Sequence, residues 1–397
     1  MKPRRWMWLA ATGLLVVVAA AIVVLASGGG APATRGRSTR SSPTVPAGPP
    51  QRPALAAPAG QQPFGANVNR LFNDLSYSPA QIDAQLRALQ ATGATVARSD
   101  ALWQASEPQP PRGGVHRYVW SFDDQIATAL AVHGLTWLPI LDYSPPWAQS
   151  IAGQPHSPPR DDADFAAYAA AFAGRYGTGG TFWRTHPALP ALAAATIEVW
   201  NAPDNGEFWA PSPSAAGYAE MYLASRAAID STDPTARVIV GGLTAPATFL
   251  PAMQAAAPAL AGHVDGVAIH PYGSPAVVVS KVRAARATLA ALGMAAVPLY
   301  VTEFGWTTSP PAALDYVSAA QRPEWIERTL ASLGHLDCGL AATVLYTWVT
   351  PDGDPANSQD WYGIEGPDAV ATPSSAAFTA GLRAAAAPAT APLACSS

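Results

Sequence analysis

From Phe64 onward, short apolar runs alternate with longer stretches whose apolar residues recur every three or four positions. The short runs are rich in β-branched and aromatic residues at consecutive positions, the pattern of parallel strands buried on both faces. They fall at 64–68, 95–98, 136–141, 196–201, 237–241, 266–270, 298–303 and 343–348. Helices are predicted between them. Ser78 and Pro79 read as an N-cap and first helical residue, Ile82, Leu86 and Leu89 form a buried stripe, and Gly93 closes the element. A second helix carries Phe122, Ile126 and Leu130 on one face, and others are predicted over 162–175 and around 214–229, 247–258, 276–292, 313–334 and 375–386. Eight strand–helix units within residues 63–390 predict an α/β protein of the (β/α)8 TIM barrel class, because an open doubly wound sheet seldom needs so many regular units. No dinucleotide fingerprint, phosphate loop or internal sequence repeat is present.

The carboxyl ends of barrel strands carry function. Here they present Asp100, Asp142, Asn201, His270, Glu303 and Trp348, a rim too polar for a purely structural role. Two ends stand out, Ile197-Glu-Val-Trp-Asn-Ala-Pro203 and Leu299-Tyr-Val-Thr-Glu-Phe-Gly-Trp306. Each apolar run stops at a polar residue followed closely by Pro or Gly.

A different pattern precedes the barrel. Lys2, Arg4 and Arg5 in residues 1–5 lead into an uncharged, mostly apolar run over 6–26. At 1.5 Å per residue that run can cross a bilayer core of roughly 30 Å, and it is longer than the usual core of a cleaved signal peptide. A single transmembrane signal anchor is expected, with the amino terminus inside and the barrel outside the membrane; cleavage near Ala26 would instead release a secreted protein. Residues 27–62, rich in Pro, Gly and Ala, read as a disordered tether, and 391–397 as a tail. The two cysteines, Cys338 and Cys395, predict one disulfide pinning that tail, the alternative being two unpaired thiols.

With 49% hydrophobic and 13% charged residues among 397, the chain can bury a large core. A net charge of -4 without a basic block in the barrel argues against a nucleic-acid partner. The histidines form no close-spaced ligand set with carboxylates, so neither a metal nor a cofactor is expected. A monomer is the expectation.

Arg98 on the second strand, Gly179-Gly-Thr-Phe-Trp183, Trp200-Asn201, His270-Pro-Tyr272, Glu303-Phe-Gly-Trp306 and Tyr346-Thr-Trp348 occur in an order and at strand positions that are specific together. On these residues the domain 63–390 resembles the clan A glycoside hydrolases, most of all actinobacterial cellulase-like and family 39-like members. The resemblance implies a retaining mechanism on O-glycosidic bonds of a polysaccharide or oligosaccharide, in which two carboxylates roughly 5–5.5 Å apart serve as nucleophile and acid/base. Glu303 matches the nucleophile, with Arg98 beside it to keep it ionised, and Asn201 matches the residue that holds the substrate 2-hydroxyl. His270 and Tyr272 are expected to line the sugar subsite. Trp348, then Trp306, Trp147, Trp209 and Trp103, are the candidates for stacking on sugar faces. Asp100 and Asp142 are candidates for binding sugar hydroxyls. The plainer readings are an ion pair for Glu303, a turn for Asn201, core packing for His270 and most tryptophans, and caps for the two aspartates.

The departure is Ala202, which stands where the family has its acid/base Glu. A methyl group cannot move a proton, and general acid–base assistance is worth roughly 10² to 10⁴-fold. The chain begins at Met1 and carries no purification tag, so the expectation is a natural departure rather than an engineered knockout. Asp204, Glu207 and Glu198 are the carboxylates near enough in sequence to substitute. The acid/base function is therefore expected to be impaired or displaced, with a catalytically inactive glycan-binding protein as the rival reading and a barrel enzyme of unrelated chemistry a distant third.

Overall fold

In the computed structural model, residues 62–73, 77–351, 353–388 and 393–395 are described below. The predicted basic flank, membrane segment and nearly all of the tether lie outside these residues, and within them no helix is long and apolar enough to cross a membrane.

The strands β1 (Phe64–Asn67), β2 (Val96–Leu102), β3 (Thr136–Asp142), β4 (Thr196–Val199), β5 (Arg237–Leu243), β6 (Val267–Ile269) and β7 (Leu299–Val301) pair in parallel in sequence order. After a two-residue strand β8 (Leu336–Asp337) comes the eighth barrel strand, β9 (Leu340–Leu345). It pairs with β7 on one side and returns to β1 on the other, with Phe64 opposite Thr343, so the sheet closes into the predicted barrel. Strand β10 (Leu393–Ala394) pairs with β8 outside it.

Two apolar clusters hold the layers together. Val96, Leu138, Ile239, Ala268, Tyr300, Ala342 and Val344, from β2, β3, β5, β6, β7 and β9, form a cluster of their own that fills the barrel interior. The larger cluster joins the sheet to the helices around it. With side chains alternating along a strand, Arg98 lies two residues beyond Val96 on the same inward face, directly above this apolar plug.

Helix boundaries follow local chemistry. Pro79–Ala91 begins as predicted, with the Ser78 hydroxyl accepting from the Gln81 amide and the Gln81 side chain accepting from the Ser78 amide. The helix expected over 313–334 begins only at Arg322. Pro310 and Pro311 cannot donate backbone hydrogen bonds, and Thr307 instead pairs with the following segment, donating its amide to the Asp315 carbonyl and accepting from the Val317 amide. Residues 313–315 therefore form a loop at the mouth of the barrel. Strand β2 runs four residues past its predicted end and encloses Asp100, whereas β4 stops two residues short of Asn201.

Cys338 and Cys395 form the predicted disulfide, with Cα atoms 4.9 Å apart and a sequence separation of 57. A crosslink closing a loop of that length removes conformational freedom mainly from the unfolded chain. Replacing both cysteines by serine should lower the unfolding free energy by about 2–4 kcal/mol, read by urea denaturation of the two forms. An unchanged midpoint would show that the tail adds nothing to the barrel.

Candidate active site

The centre of the barrel mouth is organised by one side chain. Arg98 is fully buried, and its guanidinium spends nearly all its donors on three neighbours. Nε and Nη2 donate to the two Glu198 oxygens at 2.8 and 3.0 Å, Nη1 donates to Glu303 Oε1 at 2.7 Å, and Nη2 also reaches Asn201 Oδ1 at 3.1 Å. Burial works against its charge, but Glu198 and Glu303 outweigh that cost and hold it cationic. Glu198 receives one more donor, the Gly242 amide at 2.8 Å. A Cβ on Gly242 would fall 1.9 Å from the His270 ring, so only glycine lets strand and imidazole approach this closely.

Glu303, just past β7, keeps one face toward the open cleft, with 12% of its side chain exposed. Its second oxygen accepts from the Tyr272 hydroxyl at 2.7 Å, and His270 Nδ1 lies 3.5 Å from it. Burial pushes the carboxyl up, but its surroundings more than reverse that shift and hold it below the usual carboxylate range. The facing His270 imidazole and the Arg98 guanidinium lower it, reinforced by the Tyr272 hydroxyl, while burial in turn lowers the His270 pKa. Glu303 is thus an ionised carboxylate, oriented at both oxygens and open to a ligand.

The cleft above it has a volume of about 630 Å³. Asn201, His270, Tyr272 and Asp100 line it with Glu303, and Asn201 is further fixed by donating Nδ2 to the Tyr143 hydroxyl at 3.1 Å. Asp100 accepts from the Asn69 and Asn73 side chains at 2.8 and 2.6 Å. Burial raises its carboxyl to about 6. Ala202 also faces the cleft, in the left-handed region at φ 41°, two residues after Trp200 at φ 64°. Non-glycine residues seldom adopt this backbone, and when they do it is commonly at a site where strand geometry serves function.

The expected tryptophan platform is absent from the cleft. Trp348, Trp306, Trp103 and Trp209 are buried at 0–3% exposure, and half-buried Trp147 also stays out of the lining. Their indole N–H groups are used structurally: Trp348 donates to Gln85, Trp306 to the Gly273 carbonyl, Trp103 to the Glu107 carboxylate and Trp147 to the Glu107 carbonyl. Asp142 is likewise fully buried and outside the cleft lining. Burial pushes its carboxyl well up, and neither oxygen has a hydrogen-bond partner among the described residues, so it sits in the interior away from any ligand in the cleft.

Other aromatics take the cleft positions. Tyr272, Tyr346 and Tyr362 make a mutually edge-on cluster on one side, with ring centroids 5.3–6.5 Å apart. Tyr143, His156 and Phe208 form a second group, in which Tyr143 and Phe208 are stacked and His156 is tilted against both, 4.3 Å from the Tyr143 centroid. Sequence reasoning assigned none of these but Tyr272 to the subsite. The Tyr346-Thr-Trp348 motif carries the signal, but its larger aromatic is the one that turns into the core. Tyr143, His156 and Phe208 lie on loops, where no periodicity reveals which way a side chain faces. Among the described residues no cluster of three or more His, Cys, Asp and Glu side chains suits a metal ion.

No protein-family model and no curated protein matches the sequence. Solved structures match the fold. A family 39 glycoside hydrolase from the gut symbiont Bacteroides cellulosilyticus WH2 aligns with a TM-score of 0.58 at 20% identity, over 81% of this chain and 64% of that one, so the chain spans less than two thirds of that enzyme's length. A family 39 β-xylosidase from Caulobacter crescentus gives 0.59 at 22% identity over 83% and 72% of the two chains. The family 39 enzyme from Xanthomonas axonopodis pv. citri gives 0.63 at 18% over 82% and 67%. What these structures share with the chain is the fold, a closed (β/α)8 barrel.

A hydrogen bond to a charged group is worth about 1.5–3 kcal/mol, so Tyr272→Phe should raise the Glu303 pKa by about one unit or more. Titration of the glutamate carboxyl carbons by NMR in the native and variant proteins checks this, with Glu303→Gln assigning the signal. An unmoved Glu303 resonance would leave His270 and Arg98 as the sources of the depression.

Proposed function

We propose that this chain is a glycoside hydrolase of the retaining type, acting on a β-linked polysaccharide or oligosaccharide with Glu303 as nucleophile. The observation that carries the reading is the Glu303 carboxylate, gripped at one oxygen by Arg98 and at the other by Tyr272, while still facing a cleft deep enough for a sugar. A carboxylate that served only as an ion-pair partner would have no need of the open face.

In this reading a Glu303 oxygen attacks the anomeric carbon, the glycosidic bond breaks, and a glycosyl ester forms on Glu303. Water then attacks the same carbon and frees the carboxylate. Arg98 and the Tyr272 hydroxyl hold the nucleophile in one orientation, and Asn201, itself held by Arg98 and Tyr143, offers its amide to the 2-hydroxyl. Asp100, ringed by Asn69 and Asn73, is placed to accept from another hydroxyl. Tyr346 and Tyr362 supply apolar ring surface for C–H faces of the sugar. The related structures include enzymes named as a β-xylosidase, a β-1,4-galactanase and an exo-β-1,4-mannosidase, which supports the β-linked substrate class.

The setting is proposed as extracytoplasmic: residues 6–26 act as an amino-terminal anchor, or are removed near Ala26, and the tether spaces the barrel from the bilayer. The Cys338–Cys395 disulfide is the kind of bond an oxidising compartment maintains. A second reading, a glycan-binding protein without turnover, draws its support from Ala202.

The two are separated by incubating the full chain with 2,4-dinitrophenyl 2-deoxy-2-fluoro-β-glycosides of xylose, glucose, galactose and mannose. A fluoroglycosyl mass increment on the peptide containing Glu303, absent from Glu303→Gln, is the expected result. A sugar that binds in the cleft by calorimetry without ever labelling Glu303 would establish the binding protein instead.

A further inference from the structure

The proton needed by a leaving group must come from somewhere other than position 202. A retaining pair flanks the scissile bond, so the donor should belong to the β4 side of the cleft, across from Glu303. Three carboxylates follow β4 or lie on it, and their surroundings separate them sharply.

Glu198 is fully buried, and its oxygens are occupied by two Arg98 donors and the Gly242 amide. It can neither reach the cleft nor give up its charge without stranding Arg98. Asp204 accepts from the Thr244 amide, the Thr244 hydroxyl and the Ala245 amide, at 3.1, 3.2 and 2.6 Å, and does not line the cleft. It fastens the loop after β4 to the loop after β5. Glu207 is different: it is exposed, it lines the same cleft as Ala202 and Glu303, and its carboxylate makes no hydrogen bond or ion pair among the described residues.

The loop presents Glu207 firmly. The Asn205 amide donates to the Ala202 carbonyl at 3.0 Å, folding the chain back toward the cleft. The Glu207 amide donates to Asn205 Oδ1 at 3.0 Å, and its carbonyl accepts from His156 Nδ1 at 2.7 Å. The backbone is fixed on both sides, and the carboxylate is left free to meet a ligand in the cleft. Two other acids line the cleft and fit the role less well. Asp100 has both oxygens engaged by asparagine N–H donors, an arrangement that suits an acceptor. Asp315 lies on the loop after β7, the same side as the nucleophile, and is engaged by the Tyr362 hydroxyl at 3.4 Å.

We infer that Glu207 is the displaced acid/base of this site, taking over from the loop the role that Ala202 has lost from the strand end; the inference rests on Glu303 being the nucleophile. As Glu303 bonds to the anomeric carbon, the glycosidic C–O electron pair passes to the leaving oxygen, which takes the proton from the Glu207 carboxyl. Glu207, now a carboxylate, removes a proton from the incoming water, whose oxygen bonds to the anomeric carbon as the ester bond to Glu303 breaks. The sum is glycoside plus water giving sugar plus alcohol, with both carboxyl groups restored.

The test compares the unmodified full chain with Glu207→Gln on 2,4-dinitrophenyl and 4-methylphenyl β-glycosides, with and without sodium azide. The variant should lose about 10² to 10⁴-fold in kcat/KM on the 4-methylphenyl substrate and little on the dinitrophenyl one. Azide should accelerate the variant and yield a β-glycosyl azide, and should leave the unmodified protein unaffected. Adding Ala202→Glu to Glu207→Gln should restore cleavage of the poor leaving group. Unchanged circular dichroism and thermal midpoint exclude a folding defect. Labelling of Glu303 with a Glu207→Gln variant indistinguishable from the unmodified protein would overturn this inference alone, as would azide activation of the unmodified protein. No labelling of Glu303 and no turnover of any glycoside would overturn the proposed hydrolase and this inference together.

Discussion

The Arg98 guanidinium is the constraint on which the mouth of the barrel depends. It is a buried cation on β2 whose planar fork meets a carboxylate and an amide from β4 and its end and a second carboxylate just past β7, and no other side chain offers that number of donors in one rigid plane. Each partner is indispensable to the others: Glu198 without Arg98 would be an unpaired charge in the interior, and Arg98 without Glu198 would press its whole charge on Glu303. Removing one member of such a buried set typically costs about 3–5 kcal/mol, because the desolvation already suffered by the rest goes uncompensated. The ionisation of Glu303 and the register of β2, β4 and β7 at the mouth are thus a single electrostatic arrangement.

That arrangement divides labour between the two sides of the cleft. On the β7 side, Glu303 is held at both oxygens. On the β4 side, backbone order is supplied by the Asp204 fastening and by His156, and the Glu207 side chain that emerges is uncommitted. The aromatic walls differ from simple stacking slabs, because tyrosines present hydroxyls at their edges as well as ring faces. The Tyr346 hydroxyl is already donated to Gln359 and the Tyr272 hydroxyl to Glu303, so each ring is oriented by a polar contact.

The barrel was readable in the chain because parallel strands buried on both faces leave continuous apolar runs, and the helices between them leave capping signals such as Ser78-Pro79. Glu303, Arg98 and Asn201 were readable because strand ends fix where a side chain can be. The tryptophans were not, since an indole is equally suited to a core and to a sugar face, and composition cannot say which Nε1–H has found a buried acceptor such as Gln85. The loop at 313–315 reads as helix in the sequence because its pattern runs on into a genuine amphipathic segment, while the pairing of Thr307 that holds it open is a contact of tertiary structure. Tyr143, His156 and Phe208 reach the cleft through loops whose direction only the closed barrel determines.

Ala202 has one further consequence, at the level of heredity. Its backbone sits in a left-handed conformation that position 202 keeps with nothing larger than a methyl group attached. Alanine and glutamate codons can differ by a single nucleotide. A single base change therefore separates position 202 from a strand-end carboxylate facing the same cleft as Glu207.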